Sequence, residues 1–163
     1  MRIDVKTQKR KSIAYYLAPE ELTIVLPESG VPISIFERLR LTIANAMLDN
    51  SFGSSISKEQ LKEISNALVQ KLGVKPNRVQ IRMLRRNWAS CSPSRNIVFN
   101  EALQKMPREF VEYVICHELL HLKIRRHNKL FRSLLSAYMP DWQERLTRTV
   151  EGFLGQKIET VFK

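Results

Sequence analysis

Cys116-His117-Glu118-Leu119-Leu120-His121 contains an H-E-x-x-H pattern, set among apolar residues that recur at helical spacing. At about 100° per residue, His117 and His121 stand roughly 40° apart, one turn above the other on one helix face. Two imidazoles so placed can share a tetrahedral metal ion, and Zn²⁺ is the ion that suits this spacing. Glu118 falls about 60° from His121 on the same wheel, close enough to polarise a metal-held water without being a ligand. The chemistry expected is metal-dependent hydrolysis, with water attacking a peptide carbonyl and Glu118 as general base.

The chain has three histidines, and the third, His127, lies in the same short stretch. On an unbroken helix it would point about 240° away from His121. The chain must therefore turn between Lys123 and Arg126 if His127 is to complete the site. Asn128, a preferred N-cap residue, gives the next helix a place to begin. The spacing H-E-x-x-H-x5-H matches that of metzincins, but Ile124 stands where their turn glycine is found. Isoleucine does not favour left-handed geometry, so the turn must be made differently. Glu144 and Glu151 on the last helix are rival third ligands, with a solvated helix face as their plainer reading. Cys91 as a fourth ligand would close the site and make it structural. Cys116 faces away from the ligands and reads as a small buried residue, and Met139 as packing beside Pro140.

Several elements must position these groups. Arg2–Lys6, Ile13–Leu17 and Leu22–Leu26 read as strands, separated by Pro19-Glu20-Glu21 and closed by Pro27–Gly30. Two helices follow. The first opens on a Ser34/Glu37 capping box and carries Phe36, Leu39, Ile43 and Met47; the second opens on Ser57/Gln60 and carries Leu61, Ile64, Leu68 and Leu72. Gly73 sits where a C-terminal cap belongs. Val79–Leu84 reads as a strand with Val79, Ile81 and Met83 on one face, Asn87–Arg95 as a polar turn region, and Asn96–Asn100 as the returning strand. In that turn region Asn87–Ser92 has two readings: a cleft wall that pairs an extended substrate, or a hairpin tip plugged by Trp88. Pro107 opens the helix that holds the H-E-x-x-H pattern. Asn128 opens one with Leu130, Phe131, Leu134, Leu135 and Tyr138 on its buried side. Pro140-Asp141 opens a last helix with Trp142, Leu146, Val150 and Phe153. This order predicts an α+β fold.

The stretch from Trp88 to Arg145 resembles the YgjP-like family of zinc-dependent metallopeptidases, relatives of the SprT-like zincins. The resemblance rests on Trp88-Ala89-Ser90-Cys91-Ser92, Asn96–Asn100, Val114–Leu122, His127–Phe131 and Tyr138–Trp142, with a weaker likeness in the strand-rich N-terminal part. It implies a zincin-like fold, with a small antiparallel or mixed sheet, an active-site helix and further helices. It also implies Zn²⁺ held by His117, His121 and His127, Glu118 as catalytic carboxylate, and a protein or peptide substrate. Ala89 stands where the family's W-G-S-C has glycine.

Composition bounds the rest. With 163 residues, 44% hydrophobic and 26% charged, the chain is expected to be one domain, residues 1–163. Within it, 1–30 are strand-rich, 31–73 hold two helices and 74–163 form the catalytic core. Two cysteines are too few for a disulfide framework. No apolar run approaches the roughly 20 residues of a membrane span, and Met1–Lys11 lacks a signal-peptide core, so a cytoplasmic protein without membrane segments is expected. Net charge is +11, and residues 71–132, with 14 Lys and Arg against 4 Glu, hold +10 of it. That block raises a second reading, a nucleic-acid-associated protein: a DNA-bound protease, or a DNA-binding module with a structural metal site. Its contacts would come from Arg82, Arg85, Arg86, Lys123, Arg125, Arg126, Lys129 and Arg132. A solvated basic surface is the plainer alternative.

Overall fold

The computed structural model describes residues 2–9, 14–18, 21–27, 56–85 and 87–154. Contacts divide the chain into two units, residues 1–51 with 147–163, and residues 52–146. In the first unit the three expected strands are present as β1 (Arg2–Gln8), β2 (Ala14–Ala18) and β3 (Glu21–Pro27). β3 is central, parallel to β1 and antiparallel to β2. The helix expected from Ser34 to Met47 lies outside the described residues.

The second unit begins its regular structure with α1 (Lys58–Leu72). Its capping box is reciprocal: the Gln60 N–H donates to Ser57 Oγ at 3.1 Å and the Ser57 N–H to Gln60 Oε1 at 2.8 Å. Leu61, Ile64 and Leu72 are buried. Gly73, at φ 59°, ends the helix with its N–H on the Gln70 carbonyl while the Val74 N–H reaches Val69. That pair of bonds is a Schellman motif, which satisfies two carbonyls the helix would otherwise leave bare.

β4 (Arg78–Arg82), β5 (Ala89–Cys91) and β6 (Asn96–Asn100) form a second sheet in the order β4-β6-β5. Here the strand pairing departs from the sequence expectation. Asn96–Asn100 does not return along the Val79 strand; it runs parallel to β4 and antiparallel to β5. Ile97 and Phe99 have no exposed surface, which is the mark of a central strand with neighbours on both sides. The turn is correspondingly shorter, closed by Arg95 N–H to Ser92 O at 3.0 Å and Ser92 N–H to Asn96 O at 2.9 Å. Ala89 is buried as a strand residue, so the glycine of the related motif is dispensable here. Buried Asn100 pins the crossover, its Nδ2 donating to the Leu84 and Asn87 carbonyls at 2.6 and 2.9 Å. The strand ends at Arg82, two residues before the expected Leu84, so Met83 lies past it; Val79 is 38% and Met83 75% exposed. The overlying helix packs on β5 and β6, leaving β4 at the margin.

That helix is α2 (Arg108–Leu120), following a short 3₁₀ segment and Pro107. Phe110, Val111, Val114, Ile115, Cys116, Leu119 and Leu120 are all buried, so most of its circumference is wrapped by protein. α1 packs beside it. α3 (Lys129–Tyr138) buries Phe131 and Leu135. Leu130, expected on that face, is 59% exposed, because it precedes Phe131 by about 100° at the edge of the stripe. α4 (Trp142–Leu154) is the expected last helix. The result is α+β, as expected, with two small mixed sheets of three strands each. Among the described residues no helix is long and apolar enough to cross a membrane.

Candidate metal centre

The H-E-x-x-H pattern occupies the C-terminal end of α2, and His121 is the residue that caps it, at φ −64° and ψ −16°. Beyond Glu118 the helix tightens. The N–H groups of His121, Leu122 and Lys123 reach the carbonyls three residues back, at 3.2, 3.1 and 2.9 Å. This 3₁₀ winding satisfies carbonyls that the α-helix would leave open. The Asn128 N–H then closes onto Arg126 O at 2.8 Å. Arg95 is the only non-glycine residue with positive φ among those described, so the turn at Ile124 is made entirely on the ordinary side of backbone space. Asn128 starts α3 as expected, its Oδ1 accepting from the Phe131 N–H at 2.9 Å.

This turn carries His127 back over the end of α2. His117, His121 and His127 converge, with one potential ligand atom from each lying within 4.8 Å of the others. Their ring centroids are 4.6 to 5.0 Å apart. His121 Nδ1 lies 3.0 Å from the Ile124 carbonyl, which can only accept, so Nδ1 carries the proton and Nε2 keeps its lone pair. His117 Nδ1 faces the Tyr113 hydroxyl at 3.4 Å, and its Nε2 meets His127 Nε2 at 2.8 Å. Burial, followed by the neighbouring imidazoles of His121 and His127, pushes His117 down to about 3. Burial also lowers His121. Neutral imidazole is the form that ligates, so donor type, tautomer and convergence all fit a zinc ion.

Two aromatic residues hold the rings. Phe131 is buried and its centroid lies 4.9, 4.8 and 4.9 Å from those of His117, His121 and His127. Tyr113 packs edge-on to His117 at 5.7 Å and stacks on Trp142 at 6.2 Å. Trp142 is fixed in turn by its indole N–H on Ser136 Oγ at 3.1 Å. Tyr113 lies four residues before His117, on the same helical stripe as the ligands, and the wheel that paired His117 with His121 also points to it. Phe131 was legible only as a core position of α3.

Glu118 stands beside the triad, half-buried and in no ion pair among the described residues. Burial pushes its carboxyl up to about 7. The other candidates take plainer places. Cys116 is fully buried, with its thiol pushed up to about 11 by burial. Cys91, on β5, does not join the convergent group, and neither does the exposed Glu144. The Glu151 side chain lies outside the described residues. Met139 is buried next to Pro140. Trp88 meets Phe110 edge-on at 5.3 Å.

Two arginines tie the site to the β5–β6 turn. Arg95 donates to the Lys75 carbonyl through Nε and Nη2, at 3.2 and 2.9 Å, and to Leu122 O through Nη1 at 3.4 Å. Arg125 Nη2 donates to Pro93 O at 3.0 Å. The segment that returns His127 is thereby fastened to the hairpin carrying β5.

Among solved structures, the chain is similar to the crystal structure of the metallopeptidase zymogen of Pyrococcus abyssi abylysin, at 21% identity and TM-score 0.50. That match covers 60% of this chain and 98% of abylysin. It is also similar to the metallopeptidase zymogen of Methanocaldococcus jannaschii jannalysin, at 23% identity and TM-score 0.51, covering 56% of this chain and 95% of that one. At these identities the likeness speaks for the fold alone. No curated protein matches the chain significantly. The family described as YgjP-like, metallopeptidase domain, matches residues 46–149, more than half of the sequence, and the protein belongs to that family.

Proposed function

We propose that the protein is a zinc peptidase in which His117, His121 and His127 hold the ion and Glu118 moves the proton. One observation carries this reading: three imidazoles converge at the end of α2 beside a half-buried carboxyl that is in no ion pair among the described residues. A zinc ion there would supply Lewis acidity, making water acidic near neutral pH and polarising a carbonyl. Glu118 takes the proton of the attacking water and returns it to the leaving amine. A carboxyl raised by burial is the stronger proton acceptor for that work. His121, locked by the Ile124 carbonyl, and His117, facing Tyr113, keep their Nε2 atoms turned inward. The substrate is held extended along β5. One edge of that strand pairs with β6 and the other is not paired within its sheet, so it can bond a peptide main chain by strand addition.

Glu118→Gln tests the role of the carboxyl. The variant is expected to bind zinc with unchanged stoichiometry and to lose hydrolysis of a peptide substrate by about 10²- to 10⁴-fold. Full activity in the zinc-loaded variant removes Glu118 from the reaction.

A further inference from the structure

Some cations of the described structure are paired with acids. Arg145 is bound to Glu112 and Asp141, Arg108 to Glu112, and Lys58 to Glu101. From His121 to Arg132 the sequence holds Lys123, Arg125, Arg126, Lys129 and Arg132 and no acid. None of these five forms an ion pair among the described residues, and all are exposed.

Two of them also oppose the helix on which they sit. α3 has no acid in its first turn, while Lys129 and Arg132 place positive charge at the end where the helix dipole is already positive. An N-terminus normally attracts acids, so this arrangement lowers the stability of α3 unless an anion offsets it. His127, the exposed member of the triad, lies between Arg126 and Lys129. Arg125 extends the same field to the substrate strand. Its guanidinium is held against Pro93 O, just past β5, through one Nη2 bond, which leaves its other N–H groups available. β5 also packs against α2, the helix that carries Glu118.

We propose that the site selects acidic peptides, whose carboxylates are read by Arg125, Arg126, Lys129 and Arg132. This rests on the peptidase reading and adds the substrate class to it. Guanidinium forks bind carboxylates bidentately, and the net positive field raises the encounter rate of an anionic chain. The α3 N-terminus contributes in the same direction.

The test uses the zinc-loaded full-length chain and matched peptides that differ only in carrying Glu, Gln or Lys around the scissile bond. The expected kcat/KM order is Glu over Gln over Lys, with about a tenfold advantage for Glu over Gln that shrinks as salt rises. The triple variant R126E/K129E/R132E is expected to lose or invert the Glu-to-Gln ratio. Arg125→Gln should lower it without charge reversal. Cleavage with equal kcat/KM for Glu and Gln peptides overturns the proposal and leaves the peptidase reading standing. Anisotropy on zinc-loaded Glu118→Gln reads binding independently of turnover. Tight binding of the Glu peptide there, with no peptide cleaved by the wild type, supports acidic recognition and removes the peptidase reading. A single-stranded oligonucleotide that displaces the Glu peptide at equal charge and salt, and binds more tightly, overturns the acidic-peptide assignment in favour of nucleic acid.

Discussion

At the residue scale, the centre depends on what lies behind each histidine as much as on the histidines themselves. His121 is oriented by a backbone carbonyl, His117 by the Tyr113 hydroxyl, and all three rings lean on Phe131. Such outer partners commonly contribute 10- to 100-fold in metal affinity. Tyr113→Phe keeps the ring stacked on Trp142 and removes only the hydroxyl. Zinc affinity, measured by chelator competition, should fall about tenfold while the thermal midpoint stays close to that of the wild type. Unchanged affinity would show that the 3.4 Å contact does not orient His117. His117, His121 and Glu118 were legible in the sequence because residue type and spacing place them close together on one helix, while His127 also needed the turn that brings it back. The Ile124 carbonyl was not, since every residue carries a carbonyl and only the wound-down end of α2 brings this one to His121.

At the scale of elements, caps were more legible than pairings. Ser57 with Gln60, Gly73 and Asn128 each act where their types predict, because a cap is a local transaction between a side chain and the next few N–H groups. Sheet order is not local. Ala89–Cys91 has three residues, none of them β-branched, and nothing in its pattern announces a strand. It forms because Ile97 and Phe99 need cover on both sides of β6. Asn128→Ala should cost about 1 kcal/mol of stability, read from denaturant unfolding. It should also weaken zinc binding, because the same cap fixes where His127 ends its return. A variant that loses stability but keeps full zinc affinity would separate the cap from the ligand.

At the scale of the molecule, metal and charge act as global variables. A ligand that binds only the folded chain stabilises it by mass action, about 4 kcal/mol at a thousand times its dissociation constant. Removing zinc by chelation should lower the thermal midpoint of the wild type, and restoring zinc should recover it. His127→Ala should narrow that gap. An equal gap in both proteins would take His127 out of the ligand set. The excess charge of the chain, which composition alone reports as +11, includes an acid-free run of five exposed cations from Lys123 to Arg132, beside the centre.

The continuity of the centre along the chain has a consequence for how the protein is built. His117 and His127 are ten residues apart, and Tyr113 to Phe131 form one unbroken stretch. Closing a loop that short carries little entropic penalty and takes on the order of 10–100 ns in a flexible chain. Joining β4 to β6 instead spans the crossover and the hairpin, with Arg78 registered on Asn96. Contacts of short sequence separation form early and distant ones late. Convergence of the three histidines is therefore a local folding event, and the β4 edge of the second sheet is joined after it.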